Sequence, residues 1–298
     1  YNRHPHRVIF LMVKQLAYYF LMKIYKGDFK YLVVLMSCCL MACRQTNLQT
    51  ITILHTNDTH SQVEPLEPGK RDANCAGYAR RMGFINQERA IDPNLLLFDA
   101  GDYNQGTPYF NFYHGRIEVE AMNRMGYDAI VLGNHEFDYG VDTLAVVLQN
   151  AQFAVVCANY DVTNSPLETI VKPYTIIHRK NMRIGVFGIG VNPHGLVSEK
   201  NFMPLQYLDP IESAQKTANI LKEKKRCDLI ICLSHQGTHL GDIELAQTTR
   251  YIDIIIGGHT HKTIENLYIT NLDGDSVLLS QMGKSGARIG KILVEMEE

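Results

Sequence analysis

Five stretches of this chain end an apolar run in side chains that hold metal ions. They are Asp58-Thr59-His60, Asp102, Asn134-His135, His235 and His259-Thr260-His261. Any one of them is weak. An Asp near a surface His is commonly a turn, and a single His at a strand end is usually structural. Five such ends, all on the carboxyl side of apolar runs, form a pattern that chance does not readily supply. Two Asp, one Asn and four His (Asp58, Asp102, Asn134, His60, His235, His259, His261) exceed the needs of one four- to six-coordinate ion. They suit two ions sharing one carboxylate. Two ions about 3.5–4 Å apart clamp the attacking and leaving oxygens of an in-line displacement, which is the chemistry of phosphate-ester hydrolysis. Mixed imidazole and carboxylate donors indicate Mn, Zn, Fe or Co rather than an all-oxygen calcium site.

Those side chains need strands that end together. Residues 51–57 alternate and then fill with β-branched and apolar types, the pattern of a first strand. If the chain stays extended past it, Asp58 and His60 stand at i and i+2 and face one point. Residues 95–102 make a second buried strand, with Asp99 still in the apolar run and Asp102 beyond it as the better ligand candidate. Residues 129–132 make a third, broken at Gly133 into Asn134, His135, Glu136 and Asp138. Runs 228–234 and 252–258 end in His235 and in His259 with His261. Helical spacing covers 77–91, 117–125, 141–151 and 210–226, the last with basic residues at its C-terminal end, where they suit the helix dipole. This alternation predicts an open α/β fold, which builds its sites at the carboxyl ends of strands. Further strands are expected at 153–159 and 183–191. The latter contains Gly185, Gly188 and Gly190, but no helix start follows promptly, so it is not a dinucleotide fingerprint. Residues 264–269, 276–280 and 288–295 read as short antiparallel strands, with Asp273-Gly274 a hairpin turn between the first two.

The chain has 298 residues, a formal charge of −2 and 46% hydrophobic content, enough for a large core. Without a basic excess it has no electrostatic footprint for a nucleic-acid polymer. Of its seven cysteines, Cys157 and Cys232 fall inside apolar runs as small hydrophobes, and no disulfide framework is expected. Residues 22–43 have a basic start and a short apolar run, the pattern of an export signal. It ends in Leu40-Met41-Ala42-Cys43, which resembles a bacterial lipobox whose Cys43 is lipidated. The alternative is an ordinary cleaved signal with a coincidental Cys. Met22 is then the expected natural start, and residues 1–21 an upstream extension that is not native, an N-terminal anchor being the other reading. Residues 44–50 are a tether, and 51–298 the catalytic domain.

Taken in order, Asp58-x-His60, Gly101-Asp102-x-x-Gln105-Gly106, Gly133-Asn-His-Glu136, Ser234-His235-x-Gly237 and Gly257-Gly-His-x-His261 resemble the five motifs of the calcineurin-like metallophosphoesterases. Asn134-His-Glu-Phe-Asp138, with Asn57 before Asp58, is similar to the 5′-nucleotidase branch. The resemblance implies an α/β fold of the four-layer αββα sandwich type. It implies one metal held by Asp58, His60, Asp102 and His261, and another by Asp102, Asn134, His235 and His259, with Asp102 bridging. It also implies attack on phosphorus by a water between the ions. His135 and Asp138 correspond to the family's catalytic dyad, and Asn134 and His135 would meet the phosphate. Family 5′-nucleotidases continue into a second domain that supplies much of the nucleoside pocket; a separately encoded C-terminal domain docking on this one is one expectation.

The expected function is thus that of an exported, periplasmic or cell-surface bacterial lipoprotein that hydrolyses nucleotide monophosphates. The alternatives are a 2′,3′-cyclic phosphodiesterase or UDP-sugar hydrolase of the same family, a thiosulfate-ester hydrolase of the superfamily, or a metal-bound binding protein without catalysis.

Overall fold

Apolar, β-branched runs become strands buried on both faces, as parallel strands covered by helices must be. The computed structural model describes residues 48–69 and 72–297. The expected upstream extension, the export signal with Cys43, and residues 44–47 of the tether lie outside the described residues.

In chain order the strands are β1 (Leu48–Thr56), β2 (Leu96–Asp99), β3 (Ala129–Ile130), β4 (Ala154–Val156), β5 (Tyr160–Asp161), β6 (Val171–Lys172) and β7 (Tyr174–Arg179). They continue with β8 (Met182–Ile189), β9 (Gln206–Tyr207), β10 (Leu229–Ser234), β11 (Ile254–Gly257), β12 (Thr263–Thr270), β13 (Ser276–Met282) and β14 (Gly290–Glu297). One six-stranded sheet has the order β14-β1-β2-β3-β4-β6, a second has β12-β13-β11-β10-β8-β7, and β5 pairs with β9 separately.

Register is what matters for the site. In the first sheet Thr56 stands opposite Asp99 and Asp99 opposite Ile130, all in parallel pairs. In the second, Ser234 stands opposite both Gly257 and Ile189, again in parallel. The strands that precede the candidate ligands therefore end level, and the loops after them emerge side by side.

Helices cover the outer faces. Tyr78–Ile91, Arg116–Met125 and Gly140–Leu148 bury Ile85, Val119, Met122, Met125, Val141, Leu144, Val147 and Leu148. On the other side, Ala214 and Ala218 of Pro210–Asn219 and Leu245 and Ala246 of Ile243–Thr248 pack with Phe187, Ile230, Cys232 and Ile255. Each fully buried aliphatic side chain contributes about 1.5–3 kcal/mol relative to exposure. The result is the expected helix–sheet–sheet–helix sandwich.

The glycines of β8 are packing devices. A Cβ on Gly188 would sit 2.0 Å from the carbonyl oxygen of Val156, and the Gly188 oxygen accepts a bond from Ala158 N at 2.7 Å. Any side chain there would force β8 away from the end of β4. Cys75, Cys157, Cys227 and Cys232 are all free thiols, the last three buried.

Three features differ from the sequence reading. The helix begun at Pro210 passes at Ile220–Lys224 into a π-helical turn. The edge strand β7, antiparallel to β8, was not anticipated, because most of its residues are half-buried and show no clean alternation. And β14 leaves the β12–β13 hairpin to join the first sheet beside β1. The hairpin turn itself falls where expected, with Gly274 at φ +87°.

Candidate active site

Where β1, β2, β3, β10 and β11 end, the two sheets are tied together by their loops. His235 Nδ1 lies 2.6 Å from the carbonyl oxygen of Ala100, and His259 N donates to both carboxylate oxygens of Asp58 at 3.0 and 3.1 Å. Room for this approach comes from Gly258, where a Cβ would stand 2.7 Å from Ala100 O.

The candidate ligands converge in two adjacent groups. In one, donor atoms of Asp58, His60 and His261 lie within 4.8 Å of one another. His60 Nε2 is 2.9 Å from His261 Nε2, and His261 Nε2 is 3.4 Å from Asp58 Oδ1. In the other, Asp102, His235 and His259 meet the same 4.8 Å limit, and His259 Nδ1 is 3.1 Å from Asn134 Oδ1. A third overlapping set, His60, Asp102 and His135, links the two. All nine candidate residues thus come together: Asp58, His60, Asp102, Asn134, His135, Asp138, His235, His259 and His261.

They do not get there by the extended geometry expected from their i, i+2 spacing. Asp58 and His60 have φ of +48° and +46°, and His259 and His261 +71° and +57°. Asp102 is at +57°. Such left-handed backbone is uncommon outside glycine and costs on the order of 1 kcal/mol or more per residue. Its effect is to separate the pair that an extended strand would keep together: His261 goes to Asp58 and His60, while His259 goes to Asp102 and His235.

The electrostatics follow from burial. Burial alone would lower the His235 pKa, but Asp102 Oδ2, 3.1 Å away, outweighs it and pushes the imidazole up to about 10. Burial would likewise raise Asp102, yet the charge of His235 holds its carboxyl far below the usual range. His60 and His259 are lowered, first by burial. His135 is opposed by burial but raised on balance by its bond to Asp138, at 3.0 Å from Nδ1 to Oδ2. Asp99, left behind in the strand, is buried and accepts from Thr56 Oγ1 and Gly101 N; burial pushes it up to about 7.

Glu136, which stands in the polar run after Gly133, braces the loop. Its buried carboxylate accepts from the backbone N–H of Asp102 (2.9 Å), Asn104 (3.2 Å) and Gly133 (2.6 Å), fastening the β2 loop to the β3 loop. Replacing it with alanine would orphan three buried donors. Glu136→Ala is expected to cost about 3 kcal/mol or more in stability. It should also weaken metal affinity roughly 10–100-fold, as loss of outer support does. Thermal melts and metal titration check both, and an unchanged melt would remove the bracing role. Asn57 acts similarly: its amide nitrogen donates to Asp58 Oδ2 (2.6 Å) and to Gly283 O (2.8 Å), and its oxygen accepts from Met282 N (2.7 Å). The only signal of either role in the sequence is adjacency to a ligand. Nearby, Phe110 turns inward against Tyr139, whereas Phe112 is 77% exposed.

This fold, with two adjacent donor groups linked through His60 and Asp102, defines a class. The sequence profile of the calcineurin-like phosphoesterases matches residues 51–263, and the chain belongs to that family. Its relatives include 5′-nucleotidases. The human 5′-nucleotidase is 30% identical over 273 residues, 83% of this chain and 47% of the relative. The trifunctional nucleotide phosphoesterase protein YfkN of Bacillus subtilis is 32% identical over 283 residues, 84% of this chain and 18% of its own length. The crystal structure of the 5′-nucleotidase precursor from Thermus thermophilus superposes with a TM-score of 0.76 at 33% identity, covering 83% of this chain and 51% of that one. The chain thus spans about half or less of the length of these relatives.

Proposed function

We propose that this chain is the catalytic part of an exported two-metal phosphoesterase that hydrolyses phosphate monoesters of nucleotides. The observation that carries it is the meeting of seven donors in two adjacent groups, linked by a set that holds His60 and Asp102, with His135–Asp138 at their edge. The donor set fits divalent metal. His235 Nε2 is fully buried and, although 3.1 Å from Asp102 Oδ2, makes no hydrogen bond, an arrangement that a cation between the two would resolve. Asp58, His60, Asp102 and His261 would hold one ion, and Asp102, Asn134, His235 and His259 the other. When bound, such ions supply Lewis-acid stabilisation of the phosphoryl charge and lower the pKa of the attacking water.

The chain's own residues do the rest. Asn134 and His135 bind phosphoryl oxygens. Asp138 occupies His135 Nδ1 and so presents Nε2 to the substrate. The raised pKa of His135 suits it to carry a proton, which it gives to the leaving alkoxide as the P–O bond breaks. The nucleotide part of the reading is supported by the 5′-nucleotidase relatives. They are longer than the matched region, and the nucleoside pocket is assigned to a further domain, in this or a separate polypeptide.

Chelation should reduce turnover to background, and Mn or Zn should restore it, as followed by phosphate release from AMP, an aryl phosphate and a 2′,3′-cyclic nucleotide. Preference for the cyclic ester would favour the diesterase alternative. Hydrolysis of the aryl phosphate alone would place the nucleoside pocket elsewhere. No release from any would favour a metal-binding protein without catalysis.

Export rests on the basic and apolar pattern of residues 22–43, with Cys43 as the lipidated residue. No described helix is long and apolar enough to cross a membrane. Mass spectrometry of the mature protein should find an N-terminal, lipid-modified Cys43; an unmodified Cys43 within a longer chain would overturn this.

A further inference from the structure

Between β10 and the helix Ile243–Thr248, residues Thr238–Asp242 form one π-helical turn. Asp242 N donates to Gly237 O at 3.0 Å, a bond spanning five residues where an α-helix spans four. Single π-helical turns occur frequently at functional sites. This one presents Asp242 and Thr238 to the strand ends that bear candidate ligands.

Asp242 is fully buried. Its Oδ1 accepts from Ser234 Oγ at 2.5 Å, and Ser234 is the last residue of β10, directly before His235. Its Oδ2 has no hydrogen-bond partner among the described residues and faces the end of β11, where a Cβ on Gly257 would stand 2.8 Å away. The carboxylate therefore sits between the two strands that deliver His235 and His259. Burying such a group carries a large desolvation cost, and Ser234 is the one side chain that offsets it with a hydrogen bond.

Thr238 opens the same turn, and its Oγ1 lies 2.9 Å from Thr260 Oγ1. Thr260 stands between His259 and His261, whose backbones are both left-handed, at φ +71° and +57°. Backbone of that kind persists only where its surroundings fix it. The buried side-chain amide of Gln281, 3.2 Å from Thr238 Oγ1 and 3.0 Å from Thr260 Oγ1, closes the contact from β13.

We propose that this π-helical turn positions the metal-holding histidines, with Asp242 and Thr238 as its two positioning residues. Asp242 acts through Ser234 on His235. Thr238 acts through Thr260 on His259 and His261. The inference rests on the two-metal reading above, and it gives the two residues different reach. His235 belongs to the proposed set with Asp102, Asn134 and His259, so Asp242 supports that ion alone. Thr260 is flanked by a ligand of each ion, so Thr238 supports both.

Cobalt titration followed by visible absorption tests this, with thermal melts of the metal-free protein beside it. The wild type should take up two ions per chain. Asp242→Ala should lose affinity for one ion roughly 10–100-fold, the range for loss of outer hydrogen-bond support, and hold the other near its wild-type value. Ser234→Ala removes the same hydrogen bond from its other end and should show the same asymmetry, so the test survives if Asp242→Ala does not fold. Thr238→Val should weaken both ions, and Thr238→Ser, which keeps the hydroxyl, should retain both. Unchanged affinities in the folded Ser234→Ala and Thr238→Val variants overturn the proposal. So does equal weakening of both ions in Ser234→Ala, which a general loosening of the fold would produce. A wild-type protein that takes up fewer than two ions removes the two-metal reading itself, a failure distinct from either of these.

Discussion

Asp102→Ala should lose both ions and with them nearly all turnover. Asp102 is the carboxylate proposed above to be shared by the two ions: it groups with His235 and His259 and, in the linking set, with His60 and His135, with Oδ2 3.1 Å from His235 Nε2 and Oδ1 accepting from His135 N at 2.9 Å. Its removal takes a donor from the His235–His259 group and from the set that links it to His60, and frees the backbone at His135 as well. The fall in kcat/KM should exceed the roughly 10–100-fold that loss of an outer hydrogen-bond partner costs. The buried carboxylate also offsets the charge on His235, so the alanine variant will melt earlier. Asp102→Asn keeps the size of the side chain and separates folding from metal binding. Elemental analysis of the folded variant decides the matter. Two ions per chain in Asp102→Asn, with affinity unchanged, would show that Asp102 is not the shared ligand.

His135→Ala should behave differently, with kcat falling roughly 10²–10⁴-fold, the range of a lost general acid, and metal content staying at two. The geometry makes this a strict test. His135 shares a 4.8 Å cluster with His60 and Asp102, so the fold would allow it to ligate. What argues for catalysis is the engagement of Nδ1 by Asp138 and the position of the pair at the partly exposed edge of the site. Loss of an ion in His135→Ala would overturn the dyad. Asp138→Asn adds a pH signature. Asp138 raises the His135 pKa, so its neutralisation lowers it. If protonated His135 is the acid, activity is lost as pH rises through that pKa, and the alkaline limb of kcat should move to lower pH in the variant.

The long apolar runs made the parallel strands legible, since a strand buried on both faces must be apolar almost throughout. Short or half-buried pieces were not legible. The two residues of β5 and the edge strand β7 carry no period strong enough to read. Nor was the end of the chain fully placed: β14 has an ordinary strand pattern, and only the three-dimensional arrangement selects β1 as its neighbour rather than the nearby hairpin.

The candidate donors were legible in the sequence alone, because only certain side chains hold metals and they recur where apolar runs stop. Which donors stand together depends on two sheets meeting. Asp58 and His261 are more than two hundred positions apart, yet 3.4 Å separates their donor atoms. The left-handed turns that send His259 and His261 to different groups have no signature in residue type. Glu136 becomes a clamp only when the backbones of Asp102, Asn104 and Gly133 converge on it.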